Sequence, residues 1–266
     1  MFQPLYIAAT GLNTFEDEMS DISNNLANAQ TVAFKKGRTE KESLFYVEKT
    51  FDSRLAEAMK KASGQPLGAL EYGTGVRVTS TPKDFTQGTI QTTNQPMDLA
   101  IQGEGFFQIR MPDGSSAYSR AGNFHIDNEG NVVDPNGKFM EPPLTVPAGT
   151  TSVLVKPDGT VLISVNNSAD LAEIGQLNLA KFPNTSGLKS VGQNLYVQTN
   201  SSGDPIFGTP TQDNFGAIQQ GALEQSNVDV ISEMMRMIMV QRVFDTVTKA
   251  VSSYEAMLTT LERMKA

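Results

Sequence analysis

Apolar side chains recur at heptad spacing through residues 4–29. Leu5, Leu12, Met19 and Leu26 form one row, and Ala8, Phe15, Ile22 and Ala29 form a second row three residues later. Such an a/d pattern predicts an amphipathic helix that packs lengthwise against another. Pro4 suits its first turn, where a missing N–H costs nothing. Asn13, Glu16, Asp17, Ser20, Asp21 and Asn24 occupy the other faces. The far end repeats the design. Met237, Val240, Phe244, Val247, Val251, Tyr254, Leu258 and Leu261 follow one another at steps of three and four, with no Gly or Pro between 222 and 266. Ser226, Asn227 and Asp229 offer N-cap side chains just ahead of this stripe. At about 1.5 Å per residue the two helices would be roughly 39 Å and 52 Å long.

Between the ends the period drops to two. Val76 and Val78, Ile90, Leu99 and Ile101, Phe107 and Ile109, Val153 and Val155, Val161 and Ile163, Leu177 and Leu179, and Leu195 and Val197 predict short strands. Pro112-Asp113-Gly114, Asn128-Glu129-Gly130, Pro135-Asn136-Gly137 and Pro157-Asp158-Gly159 predict the turns between them, each with a residue that tolerates positive φ. The fold class expected is α+β. Terminal helices (1–30 and 226–266) pair as a coiled-coil-like core, 31–72 is a connector, and 73–225 is an inserted all-β domain. A short helical stretch is expected in the connector around Phe51, Leu55, Ala58 and Met59, ended by Gly64, Pro66 and Gly68.

One helix pair does not use all the apolar surface. Met234, Met235, Ile238 and Met239 lie off the main stripe. Periodicity alone leaves two explanations equally open: a core helix pair inside one domain, or an assembly surface shared between copies.

Charge and composition narrow the chemistry. The net charge is −8 and the pI about 4.8, which argues against nucleic acid as a partner. Lys35, Lys36, Arg38 and Lys41, interleaved with Glu40 and Glu42, are expected to form a solvated loop. There is no Cys and one His, so a disulfide scaffold and a Cys-ligated metal are excluded. No apolar run approaches the roughly 18–20 residues of a membrane span. Glu16, Asp17 and Glu18 stand where a signal peptide would be apolar, so export by a cleaved signal is not expected.

No motif points to catalysis. Gly103-Glu104-Gly105 lacks the third glycine of a phosphate loop and precedes Phe106 and Phe107, which are strand residues, so a turn or bulge is expected. Asp127 to Asn131 lacks the ligand spacing of a calcium loop and is expected to be a hairpin turn. His125 has no second His or Cys to share a metal and no nucleophile elbow nearby, and is expected to be a strand residue. No cofactor, metal, catalytic residue or small-molecule substrate is expected.

Two terminal segments are specific enough to suggest a family. Ser23-Asn24-Asn25-Leu26-Ala27-Asn28, followed by Thr31, Phe34, Lys35 and Lys36, closely resembles the N-terminal signature of bacterial flagellar rod and hook proteins. Ser226-Asn227-Val228, Glu233, Met237-Ile238, Gln241-Arg242, Lys249 and Met257-Leu258 are similar to that family's C-terminal signature. Asp98 to Phe107, Ala117-Tyr118-Ser119-Arg120, Gly175-Gln176-Leu177, Gly192-Gln193-Asn194-Leu195 and Gln220-Gly221-Ala222-Leu223-Glu224 look most like its distal-rod members. The family usually has Gly where Ala33 stands, and Ala-Tyr where Val243-Phe244 stands.

The resemblance implies a structural subunit of a rigid, hollow helical shaft that transmits torque to the hook and forms part of the export channel. It implies a polymerisation interface of Leu5, Leu12, Phe15, Met19, Ile22, Asn24, Asn25, Leu26 and Asn28 with the stripe from Met237 to Leu261. It further implies a rod-stiffening segment holding Phe51, Leu55, Met59, Pro66 and Leu67. The implied partners are further copies of the chain, proximal rod proteins, the hook protein, the L- and P-ring bushing proteins and the flagellar type III export apparatus. The implied location is the basal body, crossing the periplasm and outer membrane. The alternatives are a proximal rod or hook subunit, or a secreted β-domain binding module.

Overall fold

The computed structural model describes residues 3–49, 70–165 and 171–265. The fold is α+β: a helix at each end and a β-rich region between them. The chain divides into two compact units. One comprises 1–24, 37–82 and 231–266, and the other 25–36 and 83–230.

In the first unit, the heptad pattern becomes helix α1, Gln3–Ala27, and the C-terminal stripe becomes α2, Val230–Lys265. An antiparallel ribbon accompanies them. Glu40–Ser43 pairs with Val76–Ser80, and Tyr46–Lys49 pairs with Leu70–Gly73. The ribbon lies along α1. Thr39 Oγ1 donates to Asp21 at 3.3 Å, Lys41 Nζ donates to Glu18 at 2.5 Å, and Lys41 sits 4.7 Å over the Phe15 ring. At Gly75 the backbone has φ +123 and runs so close to α1 that a Cβ would stand 2.2 Å from Thr10 Oγ1, so only glycine fits there.

The second unit is antiparallel β-structure. Its largest sheet has seven strands in the order Lys189–Gly192, Leu195–Val197, Ser116–Ser119, Phe107–Arg110, Phe139–Glu141, Val132–Val133 and His125–Ile126. A three-stranded sheet runs Thr150–Val155, Thr160–Val165, Leu171–Gln176. Leu99–Gln102 pairs with Ala217–Gln220, and Ile90–Thr92 with Ala222–Glu224. One core gathers Leu99, Ile101, Phe107, Ile109, Leu179, Leu195 and Ile218. A second gathers Phe106, Tyr118, Phe182, Leu188 and Tyr196, whose rings meet edge to face.

The predicted turns form hairpins for a visible reason. Gly114, Gly130, Gly137 and Gly159 all have φ between +77 and +86. Asp113 and Asp158 side chains accept the backbone N–H two residues on, at 2.9 Å and 3.0 Å, so the Asp pre-forms the bend that the Gly completes. Gly103 and Gly105 form a turn between strands, with φ +115 and +142, where the chain passes Gly216 and Leu179 at close range. His125 stands in a two-residue strand and is exposed. Leu177 is buried, but just outside its predicted strand.

Candidate assembly surface

α2 carries two apolar faces of different character. Along the heptad stripe, Val240 is buried and Met237, Phe244, Val247, Val251, Tyr254 and Leu258 are half-buried, whereas every other residue from 241 to 264 is exposed. The period of 3.5 therefore reappears as a period in burial. Leu261, the last of the stripe, is exposed. On a different side, Ile231, Met234, Met235, Ile238, Met239 and Val243 follow at i, i+3, i+4, i+7, i+8 and i+12 and are all exposed, Met239 by 66% and Ile231 by 69%. The contiguous patch is larger than isolated surface methionines would make, and such patches mark interaction sites.

α1 is more fully covered. Leu5, Leu12, Phe15 and Met19 are half-buried and Ile22 is buried. Asn24 is exposed. Polar contacts tie the two helices within this unit: Arg236 donates from Nη2 at 3.0 Å and from Nε at 3.2 Å to Glu18 Oε1. Burial opposes ionisation of Glu18, but Lys41 and Arg236 outweigh it and hold the carboxyl below its usual range.

The ribbon is exposed too. Phe45, Tyr46, Val47 and Tyr72 lie bare on it, Phe45 by 72%. The expected stiffening residues Phe51, Leu55, Met59, Pro66 and Leu67, and the short helix expected around them, lie outside the described residues.

In the second unit the signature residues converge on a seam. Glu224 is fully buried and accepts from Lys35 Nζ at 2.5 Å, from the Gly88 N–H at 2.9 Å and from Arg120 Nη1 at 3.4 Å. Lys35 Nζ also donates to the Thr86 carbonyl at 2.7 Å. Burial pushes the Lys35 ammonium below its ordinary pKa despite the Glu224 charge. Tyr196 is pushed up to about 12, by burial first and by Glu224 second. Around this cluster the backbones of 32–36 and 224–227 are stitched together. Ala33 N–H donates to the Glu224 carbonyl at 2.8 Å, Lys36 N–H to Asn227 Oδ1 at 2.9 Å, and Asn227 N–H to the Phe34 carbonyl at 3.4 Å. Asn194 Nδ2 secures the Val32 carbonyl at 2.8 Å.

The Asn-rich signature sits at the head of this seam. α1 stops at Ala27, Asn28 N–H bonds back to the Asn25 carbonyl, and Thr31 Oγ1 donates to Asn28 Oδ1 at 3.1 Å. Leu26 and Asn28 are half-buried, and Asn25 is completely buried.

Lys35 corrects the expectation of a solvated loop. Arg38 and Lys41 are on the surface and Lys36 is half-exposed, but Lys35 is wholly enclosed because its partner, 189 residues away, returns to it through the fold. The aromatic ribbon and the Glu18–Arg236 link were also missed. A local signal existed for the link: Glu18 and Arg236 each immediately precede a stripe residue, Met19 and Met237, where charges flank a helix seam.

Comparison with known proteins fits this architecture end for end. The flagella basal body rod protein model matches residues 5–35, the flagellar hook protein FlgE/F/G D1 domain matches 100–163, and the flagellar basal body rod FlgEFG protein C-terminal model matches 219–264. The flagellar basal-body rod protein FlgG of Buchnera aphidicola from Acyrthosiphon pisum is 39% identical over 99% of this chain and 100% of its own length. FlgG of Caulobacter vibrioides is 34% identical over 99% and 100%, respectively. The chain belongs to the flagellar basal-body rod protein family. Within it the chain is most similar to FlgG, and it is a structural subunit of the flagellar rod, not an enzyme. FlgG of Bacillus subtilis, at 33% identity over the full length of both chains, extends the likeness to a distant relative. In this rod protein Ala33 adopts φ +54 while fully buried. An L side chain in this left-handed region strains the backbone.

Proposed function

We propose that this rod protein polymerises as the rigid, hollow distal shaft that carries torque to the hook, with its terminal helices as the polymerisation core. Leu5, Leu12, Phe15, Met19, Ile22 and Leu26 of α1 pair coiled-coil fashion with the α2 stripe from Met237 to Leu261. Neighbouring copies then cover the second face of α2 and the bare aromatics of the ribbon. Asn24 and Asn28 lie near enough to the surface to meet a neighbour. Asn25, being buried, acts by holding the end of α1. The β-rich unit forms the outer layer. Residues 46–72 stiffen the shaft, through Phe51, Leu55, Met59, Pro66 and Leu67.

The proximal rod, the hook protein and the L- and P-ring bushings are the neighbours along and around the shaft. The subunit reaches its place through the type III export apparatus, in a rod that crosses the periplasm and outer membrane. The observation that carries this proposal is the second face of α2, where Met234, Met235, Ile238 and Met239 are 49–66% exposed. An isolated chain gains nothing from such a face.

Electron microscopy of concentrated protein tests the proposal. The wild-type chain should form straight filaments. Ile238→Glu with Met239→Glu should stay monomeric, with the thermal melt of the β-rich unit unchanged. Filaments of normal number from that double variant would overturn it.

A further inference from the structure

A cleft of about 680 Å³ opens within the β-rich unit, and none of its lining residues belongs to α1 or α2. It lies between two sheet margins. His125–Ile126 is the outermost strand of the seven-stranded sheet, and Thr150–Val155 the outermost strand of the three-stranded sheet. Met97, Phe124, Val146 and Val153 line it with apolar surface. Asp98, Asp127 and Glu129 add carboxylates, His125 is its other titratable group, and no Lys or Arg lines it. Ile126 is 39% exposed beside it. The volume falls within the range of about 300–1,000 Å³ typical of binding clefts.

We propose that this cleft docks an extended cationic segment of another protein, one in which apolar residues alternate with Lys or Arg. Three features select that occupant. A trough walled by strand margins suits an extended chain, whose alternate side chains point to opposite sides. The apolar lining receives one set of side chains, and the carboxylates attract the other. The cleft has carboxylates and no cation of its own, so it complements a cationic chain, and a second copy is left as an outcome of the test. A metal ion does not fit: among the described residues, no group of three or more His, Cys, Asp or Glu could hold one.

The inference goes beyond the assembly proposal and stands apart from it. The test uses the full chain and two fluorescein-labelled peptides of about ten residues, alternating Lys-Val and alternating Glu-Val, followed by fluorescence anisotropy. The Lys-Val peptide should bind and the Glu-Val peptide should not. Asp127→Asn with Glu129→Gln should weaken the Lys-Val peptide about five- to tenfold, as should Ile126→Arg. Glu173→Gln with Asp204→Asn removes the same charge from exposed sites outside the cleft and should change binding less than about twofold. Equal weakening by both charge pairs would overturn the proposal, since the peptide would then be sensing only net charge. Absence of Lys-Val binding would overturn it too. So would a wild-type dimer in sedimentation that Ile126→Arg abolishes, because the occupant would then be a copy. Filament formation should be unchanged in Asp127→Asn with Glu129→Gln, so failure of the cleft proposal is distinguishable from failure of the assembly proposal.

Discussion

The two units solve the burial of apolar surface differently. In the β-rich unit, Phe107, Ile109, Leu179 and Ile218 are at most 2% exposed, and two cores close within the chain. In the helical unit, Ile22 and Val240 are the buried large apolar side chains among the described residues, while α2 and the ribbon leave whole apolar faces bare. The first pattern is that of a domain that folds for itself. The second leaves apolar faces uncovered, and on the assembly proposal neighbours complete it, because helix propensity alone stabilises little without packing. On the assembly proposal, the difference is between a self-sufficient body and an assembly-dependent one within one polypeptide.

The largest effect should come from breaking the self-sufficient unit. Phe107→Ala should cost about 3–5 kcal/mol in a denaturant melt of the monomer. Leu258→Ala, a stripe residue of α2, should shift the same melt by less than about 1 kcal/mol and reduce filament yield instead. Equal costs in the monomer would erase the contrast between the units.

The seam comes next. Lys35→Met leaves Glu224 buried with only Arg120 as a counter-charge, and Glu224→Gln leaves two buried cations without theirs. Either should destabilise the β-rich unit by about 3–5 kcal/mol by thermal or urea unfolding. Adding Arg120→Leu to Lys35→Met and Glu224→Leu should recover part of the loss, since the apolar triple leaves no orphaned charge.

The helical unit should respond to pH more gently. The Glu18 carboxyl is held below its ordinary value of 4.5. A depressed carboxylate contributes stability that is present above that value and lost as pH falls through the lower, folded one. Lowering pH below about 4.5 should therefore loosen the link between α1 and α2, read in assembled filaments as lower amide protection around Glu18 and Arg236, relative to the intrinsic exchange rate at each pH. Glu18→Gln should remove the pH dependence. The smallest effect is expected at Ala33. Replacing it with Gly relieves the left-handed strain but adds freedom to the unfolded chain, and should stabilise the protein by no more than about 1 kcal/mol.

What was legible in the sequence depended on how local its cause was. Heptad periodicity gave both helices because burial on a helix repeats along one segment. The Asp-Gly turns were legible because both the bend and its hydrogen bond lie within a few residues. The enclosed Lys35 was not, because its surroundings come from Thr86, Arg120 and Glu224, and only the fold brings these together. Ala33 was visible as a departure from the family pattern, but its consequence is a backbone angle, which residue size does not reveal. The bare face of α2 was partly legible: Met234 to Met239 stood out as surplus, whereas Ile231 and Val243 joined it only once the helix was seen whole.

Hydrogen–deuterium exchange along α2, in dilute monomer and in assembled filaments, tests the central claim most directly. An assembly-dependent core predicts rapid exchange from Ile231 to Met264 in the monomer and strong protection in the filament, with the β-rich unit protected in both. Strong protection of α2 in the dilute monomer, unchanged on assembly, would contradict it.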